Sequence, residues 1–96
     1  MKKYEIMYIL KADLDEAARQ DEVSKLHGIL TKNGAEITAE LPGWGLRDLA
    51  YPIKDLNKGF YVVIKVTADQ PALLEFDRLA KIDANVLRHL ITVDAD

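Results

Sequence analysis

Phe60-Tyr61-Val62-Val63-Ile64-Lys65-Val66, followed by Asp69-Gln70-Pro71 and then by Leu73, Phe76 and Ala80, reads as a strand that feeds a helix. Apart from Lys65 the strand is β-branched or aromatic, and Phe60, Val62, Ile64 and Val66 alternate onto one face. Asp69 or Gln70 can cap the helix, and Pro71 suits its first position, where the missing N–H costs nothing. Leu73, Phe76, Asp77 and Ala80 recur at helical spacing, and Ile82 is expected to tuck beneath the helix end. Asp83-Ala84-Asn85 then turns the chain into a last strand, Val86 to Val93.

A similar unit precedes this one. From Lys3 to Leu10 the chain alternates, with Tyr4, Ile6, Tyr8 and Leu10 on one side and Lys3, Glu5, Met7 and Ile9 on the other. Asp13 followed by Glu16 resembles a capping box, with Asp in place of Ser or Thr. The helix it opens carries Val23, Leu26, Ile29 and Leu30 on one stripe and ends at Asn33-Gly34, where glycine can take the left-handed conformation. Ala35 to Glu40 alternates weakly, Pro42-Gly43 interrupts, and Trp44 to Ile53 is extended again. That is one long bent strand, or a strand plus a protruding hairpin arm. Asp55 to Gly59 reads as a turn.

The order βαββαβ with right-handed crossovers predicts an α+β, ferredoxin-like sandwich. Its four-stranded antiparallel sheet has the order 4-1-3-2, counted along the chain, and both helices cover one face. A single domain is expected over residues 1–93, with a short acidic tail at 94–96. The uncovered face should show Met7, Ile9, Tyr61 and Val63, flanked by Glu5, Lys65, Arg88 and Leu90. Apolar residues with basic and aromatic edges compose a binding patch.

Composition narrows the function. At 96 residues and net charge −3 the chain is not a generally basic nucleic-acid binder, so any positive face must arise by segregation of charge. Cysteine is absent, which excludes disulfides, thiolate metal sites and a Cys nucleophile. The two His stand at unrelated positions with no suitable carboxylates, so neither a metal nor a cofactor is expected. The one serine, Ser24, sits in the first helix and not in a nucleophile elbow, and no glycine run forms a phosphate loop. No enzyme, small-molecule substrate or membrane attachment is expected. The chain enters a strand at once, without an apolar leader, which favours the cytoplasm. Lys58-Gly59-Phe60 opens like the first ribonucleoprotein motif of the RRM family, but Val62 stands where a base-stacking aromatic belongs. His89, in phase with Leu87 and Ile91, reads as a partly buried structural histidine.

Several stretches carry a more specific signal. Tyr4-Glu5-Ile6-Met7-Tyr8-Ile9, Asn33-Gly34-Ala35-Glu36 and Trp44-Gly45-Leu46-Arg47-Asp48-Leu49-Ala50-Tyr51-Pro52-Ile53 come in that order. Gly59-Phe60-Tyr61, Asp77-Arg78-Leu79 and Asn85-Val86-Leu87-Arg88-His89 follow. Together they resemble, almost end to end, the family of the sixth protein of the bacterial small ribosomal subunit. The resemblance implies a constituent of that subunit that binds the central domain of its ribosomal RNA, as a heterodimer with the eighteenth small-subunit protein. It implies RNA contacts at Lys2, Lys3, Arg47 and Arg88, which would position the protein on phosphate and sugar. It also implies that Trp44, Leu49, Tyr51 and Pro52 shape the arm and its partner surface. The arm departs from the family pattern at Asp48, where a second basic residue is usual, and at Leu46. Asp48 would weaken the phosphate contact, unless it pairs with a basic residue of the partner. The alternative from another class is a ferredoxin-like regulatory or protein-interaction module without RNA.

Overall fold

The computed structural model describes the chain apart from Gly43, Lys54, Asp55, Ala95 and Asp96 and the side chains of residues 50–53 and 56. The elements run β1 (Lys2–Lys11), α1 (Glu16–Lys32), β2 (Glu36–Glu40), β3 (Leu46–Ile53), β4 (Leu56–Ala68), α2 (Gln70–Ile82) and β5 (Val86–Val93). The four strands β2-β4-β1-β5 lie side by side in the expected order, and every pairing is antiparallel. A fifth strand, β3, adds to the expected four because the second extended segment is divided. β2 pairs with residues 64–67 of β4 and β3 with residues 56–60, so the two follow one another along the same edge. The hairpin-arm alternative is the one realised. It draws Leu56 to Gly59, expected as a turn, into strand β4.

The alternation fixes which face meets the helices. Ile6, Tyr8, Leu10, Val62, Ile64 and Val66 are buried with Leu26 and Leu30 of α1 and Leu73, Phe76 and Ala80 of α2. Burial of this apolar set is the main force holding the two layers together. Helix α1 starts later than the sequence suggests. Asp15, not Asp13, is the N-cap, and its Oδ1 accepts from the Ala18 N–H at 2.7 Å. The shift leaves Leu14 ahead of the helix, where it packs against the core. At the other end Gly34 has φ +91°. The Gly34 N–H donates to Thr31 O and the Ala35 N–H to Leu30 O, which together close a Schellman motif. In α2 the cap is Asp69, Gln70 is first and Pro71 second, still within the turn whose N–H groups have no helical partner. Ile82 does not tuck under: it is the last helical residue and 72% exposed.

Two groups of interior polar side chains lie near α2 and the turn that follows it. His89 reaches Asp77 Oδ1 from Nε2 at 2.7 Å and meets the Phe76 ring edge-on, so it is structural, as its phase suggests. Beneath the turn before β5, Glu22 and the side chain of Asp83 are buried next to Lys25 and Asn85. Lys25 Nζ stands 2.8 Å from Asp83 Oδ2, and Asn85 Nδ2 donates to Glu22 Oε1 at 3.1 Å. Burial, together with a hydrogen bond to Asp83, raises the Glu22 pKa. Burial pushes the Asp83 pKa up as well, yet hydrogen bonds from Glu22, Lys25 and the Asn85 N–H hold it below the usual carboxylate value. The two adjacent carboxyl groups are thus pushed apart, Glu22 toward its neutral form and Asp83 toward its charged form.

Candidate nucleic-acid interface

The face that the helices leave uncovered is laid out by strand register. In one row Arg88 of β5 lies opposite Ile9 of β1, and Ile9 lies opposite Tyr61 of β4. In the next, Lys11 lies opposite Gly59, and Gly59 lies opposite Arg47 of β3. Leu90, Met7 and Val63 form a third row, and Thr92, Glu5 and Lys65 a fourth. The first two rows bring three cations, Lys11, Arg47 and Arg88, to one end of the face. The acids Asp13, Asp15, Glu16 and Asp21 belong to α1 and the turn before it, in the helical layer. One end of the face is therefore basic by segregation of charge, while Glu5 lies in the fourth row.

This face is less open than the alternation suggests. Ile9 is only 3% and Val63 only 2% exposed, although both point away from the helices, while Met7 and Tyr61 are half-buried. The arm covers them. Trp44, ahead of β3, stacks on Tyr61 with ring centroids 5.7 Å apart and borders a shallow groove with Glu5, Met7, Val63, Leu90 and Thr92. The Tyr61 N–H donates to Gly45 O at 2.8 Å, and Gly45 turns the chain with φ +122°. Farther along, the Ile9 and Leu49 side chains converge over Gly59, where a Cβ would overlap the Ile9 Cγ2 methyl. Glycine inside a strand often marks such a close approach, and that signal was present in the sequence.

Arg47 and Asp48 are separated by the pleat. Arg47 opposes Gly59 and so shares the uncovered face with Leu49, and its Cζ lies 4.5 Å from the Trp44 ring centroid. Asp48 opposes Lys58 on the other face of the arm, where opposite charges across a strand pair stabilise each other. The acid beside Arg47 in sequence is thus not beside it in space.

The expected RNA contacts fall into two groups. Arg47 and Arg88 are separated by three strand spacings, about 14 Å across the sheet, and lie in adjacent rows. Lys2 and Lys3 are exposed at the opposite end of β1, roughly 27 Å from Lys11 at the strand rise. Lys11 is an addition, marked in the sequence by its phase with Met7 and Ile9. Of the expected partner residues, Trp44, Leu49 and Asp48 lie on the arm, while the side chains of Tyr51 and Pro52 fall outside the described residues. Among the described residues no His, Cys, Asp and Glu group is arranged to hold a metal, and no helix is long and apolar enough to cross a membrane.

The family model for ribosomal protein S6 matches residues 3–92. The chain belongs to the ribosomal protein S6 family. A crystal structure of the 30S ribosomal protein S6 from Thermotoga maritima superimposes with a TM-score of 0.89 at 26% identity, covering 97% of this chain and 87% of that one. Membership of the S6 family makes the chain a constituent of the cytoplasmic small ribosomal subunit, a structural protein and not an enzyme. It also sets aside the regulatory module as the reading of this ferredoxin-like fold.

Proposed function

We propose that the chain binds the central domain of small-subunit ribosomal RNA through the arm end of its uncovered sheet face, together with the eighteenth small-subunit protein as heterodimer partner. The observation that carries this reading is the convergence of Lys11, Arg47 and Arg88 around the Trp44–Tyr61 stack, with the acids of α1 in the other layer. Arg47 and Arg88 contact phosphate or sugar, and Lys11 adds charge between them. Such contacts set position without reading sequence. Lys2 and Lys3 form a separate basic point at the far end of β1. Trp44 and Leu49 on the uncovered face, and Tyr51 and Pro52 farther along the arm, shape the surface met by the partner. Asp48, on the arm's other face, suits a basic residue of that partner. An acidic chain gains RNA affinity in this arrangement by sharing the task with a basic protein.

Titration of a central-domain transcript at several salt concentrations, with the partner present, tests the reading. Arg47→Ala and Arg88→Ala should each weaken binding and lower the salt slope by about one unit or somewhat less. Unchanged affinity and slope in both variants would remove the RNA role of this face. Co-sedimentation with small subunits at moderate salt should survive in the unaltered chain.

A further inference from the structure

We propose that Trp44 is a positioning residue for Arg47: stacked on Tyr61, it holds the guanidinium ready for an RNA backbone phosphate. The inference rests on the reading of Arg47 as a phosphate contact, and it gives Trp44 a role distinct from touching the partner protein.

The arrangement is built outward from the sheet. Tyr61 belongs to β4, which is paired on both sides, and its backbone N–H holds the Gly45 carbonyl at 2.8 Å. Trp44 stacks on the Tyr61 ring at an interplanar angle of 24°. The Arg47 guanidinium then lies over the indole, 4.5 Å from its centroid. Trp44 is 41% exposed, so this contact borders solvent, where a ligand can reach it.

Two physical points give the contact a purpose. A long side chain on an exposed arm samples many rotamers, and ordering it on binding costs affinity. A guanidinium stacked on an aromatic ring is ordered beforehand. A guanidinium has a face that an aromatic ring can meet and an edge of N–H donors that can grip a phosphate oxygen pair, so one group can serve both contacts. A lysine at this position would be a point charge without the planar group that makes both interactions possible.

The test is a double-mutant cycle read on the central-domain transcript with saturating partner protein. Trp44→Leu should weaken RNA binding roughly two- to fivefold, the size of an exposed cation–π contact, and lower the salt slope part of the way toward that of Arg47→Ala. Trp44→Phe should recover most of the loss, because it keeps a ring under the guanidinium. In the Arg47→Ala background, Trp44→Leu should change RNA binding no further. Nitrogen-15 relaxation of the Arg47 Nε–H group in the free protein should show a more mobile side chain in Trp44→Leu than in the unaltered chain. An equal loss from Trp44→Leu in both backgrounds, or an unchanged Arg47 order parameter, overturns the positioning role while leaving the Arg47 contact standing. If Arg47→Ala itself leaves RNA binding intact, both the contact and the positioning role fall together.

Discussion

The Tyr8 hydroxyl, on the core face of β1, lies 2.8 Å from His27 Nε2 on α1, at hydrogen-bond distance. Burial, with Glu40 and Glu22 nearby, pushes the Tyr8 phenol far above its ordinary value, so it keeps its proton. The arrangement that gives this buried proton an acceptor has His27 Nε2 accepting and the ring proton of the neutral form on Nδ1. Burial lowers the His27 pKa below its ordinary 6.5, against a smaller opposing influence of Glu40.

The first prediction follows from that direction. A histidine with a depressed native pKa takes up protons more readily when unfolded, so its contribution to stability is intact above pH 6.5 and lost as pH falls below it. Nitrogen-15 NMR should show the Nδ1–H tautomer at neutral pH and a midpoint below 6.5. A midpoint at or above that value would show that burial does not govern this ring.

The second concerns the carboxyl pair. The raised Glu22 pKa adds stability that is fully present below pH 4.5 and lost as pH rises through the native pKa. The lowered Asp83 pKa does the reverse, adding stability above pH 3.8 that is lost as pH falls. Glu22→Gln keeps a neutral group in place, and it should remove the loss of stability on the alkaline side. Asp83→Ala strips acceptors from Lys25 and Asn85 and should cost about 1–3 kcal/mol. Urea denaturation from pH 4 to 8 reads both, and a Glu22→Gln variant with an unchanged pH profile would show that the Glu22 shift does not govern that loss.

The third tests the core. Leu30 and Phe76 are fully buried, so Leu30→Ala and Phe76→Ala should each cost roughly 2–5 kcal/mol. Losses of a few tenths would contradict the packing of either helix on the sheet.

The fourth is about space. A methyl at position 59 has nowhere to go because Ile9 Cγ2 occupies the site and Leu49 Cδ2 stands 3.3 Å away. Gly59→Ala should therefore cost about 1–3 kcal/mol, and in an Ile9→Ala background, which lacks the Cγ2 methyl, the same change should cost less. A neutral Gly59→Ala would show that the arm lifts off the sheet at no cost.

The fifth separates Asp48 from Arg47. Because the two face opposite sides of β3, Asp48→Arg should leave the RNA salt slope nearly unchanged and weaken heterodimer formation instead. Placing like charges opposite Lys58 should also cost a few tenths of a kcal/mol in stability. Tighter RNA binding with a steeper slope would place Asp48 against RNA after all.

Much of this molecule is legible in the sequence because the relevant information is local. A two-residue period assigns Ile6 and Ile64 to the core and Met7 and Tyr61 to the other face without knowledge of any partner strand. Asn33-Gly34 marks the end of α1 because a left-handed residue is needed there and little else fits. The arm motif around Trp44 and Arg47 identifies the family. What only the tertiary structure decided depends on register between distant residues. The inclusion of residues 56–59 in β4 and the burial of Ile9 and Val63 follow from how the arm folds back along the sheet, and the Asp15 cap goes with the packing of Leu14 against the core. The same register divides Arg47 from Asp48 and brings Lys11 and Arg88 toward Arg47, residues far apart in the chain. Alternation says which side of its own strand a residue faces, but which strands lie beside it, and what crosses above it, is set by pairing across the whole sheet.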